Sequence, residues 1–177
     1  KAGVVLALVL EEMAGVHVRD ARGRITVDAV AVVGAEMLGG VEAGEAAHPA
    51  EVEAMSKEIE KIVADDAILA TNTSSLSVEE IGATLAHPER LVGFHFFNPV
   101  AIMPLIEVVK TPKTTDVALS TAMVTAEKLR KNAVITADSP GFVVNRILAK
   151  LLGEAMHAVE NGTPFEDVVA AQRHFGL

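Results

Sequence analysis

From Pro49 onward, short runs of apolar and β-branched residues alternate with longer segments of helical periodicity, and this alternation constrains the fold more than any other feature of the chain. A helical bundle has no use for the short runs, and a sandwich has none for the long periodic segments. The pattern selects an α/β sheet. The runs are AILAT (67–71), LVGFHFF (91–97), LIEVVK (105–110) and AVIT (133–136). Most of their positions are apolar rather than alternating with polar ones, as expected of strands covered on both faces. Between them, residues 49–63 set Val52, Met55, Ile59 and Ile62 on one helical stripe, and residues 116–131 do the same with Ala118, Ala122, Thr125 and Leu129. SVEE from Ser77 reads as a capping box that opens a short helix, and Asn98-Pro99 as the turn between two strands.

After Ser139-Pro140 the character changes. Val144, Leu148, Leu151, Ala155 and Val159 predict one long amphipathic helix over 142–160, closed by Asn161-Gly162. TPFE (163–166) predicts a second helix, with Pro at its first position and a capping box. We expect a domain boundary there, with 140–177 the beginning of an all-helical domain. Upstream, residues 16–27 read as a hairpin, and AVAVVG (29–34) as a buried strand ending on glycine.

Composition narrows the function classes. Hydrophobic residues make up 50% of the 177, enough for a core, but Trp and Tyr are absent, so Val, Leu, Ile, Ala and Met must fill it. With 15 basic against 24 acidic residues, a net charge of −9 and no Lys/Arg run, nucleic acid is not an expected partner. The lack of cysteine excludes disulfides, thiolate zinc sites and thiol nucleophiles, and is compatible with a reducing cytoplasm. The longest apolar run, 2–10, is too short to span a bilayer, so no membrane segment is expected. No cluster has metal-ligand spacing, and no metal is expected.

Two residues stand out against their surroundings. His95 sits among phenylalanines in an apolar strand, and Glu107 follows twelve residues later in another. A lone histidine in such a place is ordinarily a hydrogen-bonded core residue, but an unpaired carboxylate with apolar neighbours is costly and calls for a partner. Two neighbouring strands could join the two side chains, a pairing that the spacing permits without demonstrating.

TNTSSLS (71–77), GFHFFNPV (93–100), LIEVVKT (105–111) and DSPGFVVNRIL (138–148), in this order and at these separations, resemble the NAD-dependent 3-hydroxyacyl-CoA dehydrogenases of β-oxidation, over about residues 65–177. The resemblance implies a Rossmann-type dinucleotide-binding domain followed by the start of an all-helical C-terminal domain that completes the active site and dimerises. It implies NAD as cofactor and the oxidation of an (S)-3-hydroxyacyl-CoA to the 3-ketoacyl-CoA. In this reading His95 is the catalytic base and Glu107 its carboxylate partner. An imidazole can take a proton near neutral pH, and a carboxylate on its far nitrogen fixes the tautomer and stabilises the imidazolium. Ser74 and Asn145 are expected to hydrogen-bond the substrate, and Ser74 and Asn98 to approach the cofactor. Cytoplasmic location is expected, with a homodimer through the helical domain or, in a multifunctional enzyme, a thiolase partner.

The N-terminal third departs from the family. VAVVGAEMLGG (30–40) resembles the glycine-rich turn that lets a backbone approach a pyrophosphate, with Gly34 and Gly39 as the first and third glycines and Glu36 at the second. Ala47 and Val52 stand where the family has glutamate and lysine. Too few residues separate Gly40 from the helix at Pro49 for a complete crossover. The expected organisation is therefore an N-terminal extension of unknown role (1–28), a dinucleotide-binding domain (29–139) missing a segment near residue 40, and the beginning of the helical domain (140–177). The alternative to a catalytic chain is a non-catalytic acyl-CoA-binding or assembly module that has lost NAD. Glu36, Ala47 and Val52 favour it, and His95 with Glu107 oppose it.

Overall fold

A computed structural model describes residues 30–33, 49–63, 66–74 and 76–176. The expected hairpin (16–27), the extension (1–28), Gly34, Gly39 and the gap near residue 40 lie outside the described residues. Those described up to Phe142 form one compact unit, and those from Val143 a second.

In the first unit, five strands form one sheet in sequential order: β1 (Val30–Val33), β2 (Ile68–Thr71), β3 (Leu91–Phe96), β4 (Leu105–Lys110) and β5 (Asn132–Ala137). The β1–β2, β2–β3 and β4–β5 pairs are parallel, whereas β3 and β4 are antiparallel. The reversal follows from connection length. Residues 97–104 are too few for a crossover, which needs a dozen or more, and so β4 runs back alongside β3. Helices α1 (Pro49–Ile62), α2 (Val78–Ala83) and α3 (Asp116–Lys128) make the longer connections.

The apolar runs of β2, β3 and β4 are buried on both faces; that of β5 is not, since β5 is the last strand of the sheet and its Val134 and Ile135 are exposed. On one face Val92, Phe94 and Phe96 of β3 join Ile68, Ala70, Ile106 and Val108 against Ala118, Ala122 and Ala126 of α3. On the other, Leu69, Leu91 and Val109 pack with Val78 and Ile81 of α2 and with Leu85 and Phe142. Small alanines on α3 let that helix lie close to the sheet. The larger side chains then come from the strands: Phe94 and Phe96 are buried, so Val, Leu, Ile, Ala and Met do not fill the core alone as composition suggested, and Phe94, fully buried, contributes about 3–5 kcal/mol by the cost of truncating such a ring.

The structure corrects three helix limits. The helix expected over 116–131 ends at Lys128 because Arg130 takes a left-handed φ of 57°, and Lys131 N–H bonds back to Ala126. The helix expected from 142 is α4, Val144–Glu160, since Phe142 also has a positive φ, 47°. The last helix, α5 (Phe165–Phe175), has Pro164 at its cap and no side-chain cap, so the capping box expected at 163–166 does not form. Pro164 also stands one place before the expected first helical position, with an extended ψ of 137°, and its carbonyl accepts the first helical bonds, from Asp167 and Val168 N–H. In this second unit Ile147, Leu152 and Met156 of α4 and Phe165 of α5 are exposed.

Candidate active site

The period of two along β3 divides its residues between the two faces: Val92, Phe94 and Phe96 go to the α3 side, and Leu91, Gly93 and His95 to the other. His95 therefore leaves its flanking phenylalanines behind. In the antiparallel ladder it stands directly opposite Glu107. Its Nδ1 lies 2.9 Å from Glu107 Oε2, with His95 5% and Glu107 1% exposed. A carboxylate only accepts, so Nδ1–H is the donor and Nε2 is the nitrogen left to take a proton. Two rings flank the imidazole, Phe97 at a centroid distance of 4.7 Å and Phe142 at 5.3 Å.

His95 is near the carboxyl end of β3, and Glu107 reaches the same end because β4 runs the opposite way. The loops after β2 and β3 open at this edge, where α/β sheets place their ligands. In the first, Asn72 Oδ1 accepts from Phe96 N–H at 3.1 Å, and Thr73 Oγ1 accepts from Leu76 N–H at 2.9 Å. Ser74 stands exposed between these anchors. The loop ends at Ser77, whose Oγ caps α2 by accepting from Glu80 N–H at 3.2 Å. In the second loop Asn98 is exposed, and the Asn98–Pro99 peptide is cis. Lys131 Nζ donates to the carbonyls of Val100 and Met103, which pins this loop to the end of α3.

The structure thus joins His95 to Glu107, and it sets Ser74 and Asn98 at the same edge of the sheet. Asn145 is the second residue of α4, in the other unit. Gly34 and Gly39 lie outside the described residues. Four further residues shape the site without having been singled out in the sequence. Asn72 and Lys131 act through bonds across 24 and 31 residues, which no local signal marks. Asp138 and Phe142 belong to the DSPGF stretch, whose Pro-Gly pair is a turn signal.

The residues at this edge fit a dinucleotide cofactor. Parallel β1, β2 and β3 present their carboxyl ends together, Ser74 and Asn98 are exposed there, and the buried Thr71 hydroxyl at the end of β2 has no hydrogen-bond partner. Among the described residues no group of three or more His, Asp or Glu could hold a metal ion.

Comparison with known proteins follows the same division. Residues 48–139 match the NAD-binding domain of 3-hydroxyacyl-CoA dehydrogenase, and residues 141–177 match its C-terminal domain. The fatty acid oxidation complex subunit alpha of Pseudomonas putida is 42% identical over 129 residues, 73% of this chain and 18% of that protein. The chain thus spans under a fifth of the length of such relatives. Among solved structures, FadB2 of M. tuberculosis is 38% identical with a TM-score of 0.65, over 68% of this chain and 43% of that one. The (S)-3-hydroxybutyryl-CoA dehydrogenase PaaH1 of Ralstonia eutropha is 32% identical with a TM-score of 0.64, over 75% and 44%. The chain belongs to the 3-hydroxyacyl-CoA dehydrogenase family.

Proposed function

We propose that this chain oxidises (S)-3-hydroxyacyl-CoA to 3-ketoacyl-CoA in fatty-acid β-oxidation, with NAD as hydride acceptor. The observation that carries the reading is the buried His95–Glu107 pair at the carboxyl edge of the sheet. His95 Nε2 takes the proton of the substrate 3-hydroxyl, the O–H pair becomes the new C=O bond, and the C3–H pair leaves as hydride. NAD, when bound, supplies the acceptor for that hydride. Glu107 holds the imidazole in the Nδ1–H tautomer and stabilises the imidazolium as the proton arrives. Apolar walls at Phe97 and Phe142 exclude water, which strengthens that electrostatic help.

In the same reading Ser74 and Asn145 hydrogen-bond the substrate, and Gly34, Gly39, Ser74 and Asn98 contact the cofactor. Residues 29–139 form the dinucleotide domain, lacking a segment near residue 40, and 140–177 begin the helical domain. A homodimer through that domain is supported by the exposed Ile147, Leu152 and Met156 of α4. Assembly with a thiolase is supported by relatives named as subunits of a fatty acid oxidation complex. We place the protein in the cytoplasm; among the described residues no helix is long and apolar enough to cross a membrane.

The test is NADH formation by the full chain from NAD and (S)-3-hydroxybutyryl-CoA or longer homologues. Turnover supports the proposal. Acyl-CoA binding with neither turnover nor NAD binding would overturn it in favour of a non-catalytic module, the reading that Glu36 at the second glycine position favours.

A further inference from the structure

Asp138 to Phe142 form a turn of unusual geometry. Phe142 N–H donates to Ser139 O at 2.8 Å across Pro140 and Gly141, and Gly141 has a φ of 72°. Proline then glycine in these places is the signature of a type II turn. The chain does not relax afterwards, because Phe142 itself has a φ of 47°. A side chain with a Cβ avoids that region, and a bulky one there points to a residue held by its surroundings. Phe142 is 2% exposed, packed with Leu69, Val78, Leu91 and Val109. Its ring lies 5.3 Å from that of His95, tilted by 59°.

We infer that Phe142 is a positioning residue for His95: its ring stops the imidazole from pivoting and keeps water away from the His95–Glu107 hydrogen bond. One hydrogen bond through Nδ1 fixes a single edge of the imidazole and leaves rotation about that contact. Phe97, two residues further along the chain, supplies one ring contact. A second contact has to come from elsewhere in the chain, and two successive left-handed residues, Gly141 and Phe142, bring the Phe142 ring to the imidazole. A core role alone asks only for apolar volume. The positioning role asks for a ring against the imidazole, and the two roles separate experimentally.

The catalytic consequence rests on the proposed function, but the geometric claim does not. The readout is the Nδ1–H proton of His95 in the full chain labelled with ¹⁵N-histidine, identified by its loss in His95→Gln. In Phe142→Leu, and in Phe142→Met as a second variant, its exchange with solvent should speed up by at least about tenfold, as a local opening would cause. The value of kcat should fall about tenfold with KM within about twofold, the pattern of a misplaced base. Leu85→Ala serves as control: it truncates the same apolar cluster at a residue outside the site, and should lower stability with the His95 exchange unchanged. Exchange in Phe142→Leu and Phe142→Met within about twofold of wild type, or equal acceleration in Leu85→Ala, would overturn the inference. A chain that never turns over still gives the exchange result, so this failure and that of the dehydrogenase reading are distinguishable.

Discussion

The Ser77 hydroxyl donates to Asp138 Oδ2 at 2.8 Å, although 61 residues separate the two in the chain. The same oxygen accepts from Glu79 N–H at 2.8 Å, so a carboxylate at the end of β5 caps the amino end of α2. This joins the Ser74 loop to the turn that delivers Phe142. A double-mutant cycle should detect it: Ser77→Ala and Asp138→Ala should each cost about 1–2 kcal/mol in denaturant unfolding, with a coupling of about 0.5–1 kcal/mol. Additive losses would mean that the hydroxyl and the carboxylate act separately.

Gly93 lies in register with Val109, two residues before His95 meets Glu107. A Cβ built there falls 2.6 Å from Val109 Cβ and 3.1 Å from Val78 Cγ2. The first contact lies next to backbone and cannot swing aside. Gly93→Ala should therefore cost about 1–3 kcal/mol, against a gain of well under 1 kcal/mol for stiffening a strand glycine. Because β3 and β4 must move apart, the His95–Glu107 distance should also grow. Wild-type stability in this variant would show that the ladder has slack at this row.

How much of this was legible in the sequence depended on distance along the chain. The strands from Ile68 to Lys110 were readable because burial on both faces forces continuous apolar runs, β5 because β-branched Val134, Ile135 and Thr136 follow one another although most of that strand is exposed, and α3 because Ala118, Ala122 and Thr125 recur at helical spacing. Helix ends were less readable. Arg130 and Phe142 adopt left-handed backbone, which glycine advertises and these residues do not. At the site, the spacing of His95 and Glu107 allowed a pair but did not require one; register decides it, and register is set by the loop through Asn98 and Pro99. The bond from Phe96 N–H to Asn72 and the pinning of that loop by Lys131 depend on how distant segments close in space. Local pattern carries no trace of them.

Arg130 occupies the left-handed position of a Schellman motif: its N–H bonds to Glu127 O at 2.8 Å, and that of Lys131 to Ala126 O at 2.9 Å. The side chain is exposed, so its cost is conformational. The left-handed region is unfavourable by roughly 1–2 kcal/mol for a residue with a Cβ, and glycine loses about 0.5–1 kcal/mol more entropy on ordering. Arg130→Gly should thus stabilise the chain by up to about 1 kcal/mol while leaving the site untouched. The midpoint of urea unfolding checks the sign, and a lower midpoint would reveal a role for the arginine side chain.

Under the proposed function, substitution separates the base from its partner. His95→Gln keeps a polar group near the substrate hydroxyl but cannot take its proton at neutral pH, so kcat should fall by roughly two to four orders of magnitude while acyl-CoA and NAD binding persist. Glu107→Gln should fall less, because the imidazole remains and only its charged support is lost. It carries a second signature. A carboxamide can still accept from Nδ1–H through its oxygen, but it offers no negative charge to an imidazolium, so the loss should appear in kcat with KM little changed. The combined variant should be about as slow as His95→Gln alone, since a carboxylate with no base to support contributes nothing further. Multiplicative losses in the double variant would mean that Glu107 acts on the substrate independently of His95, and the pair would have to be reassigned as two separate groups.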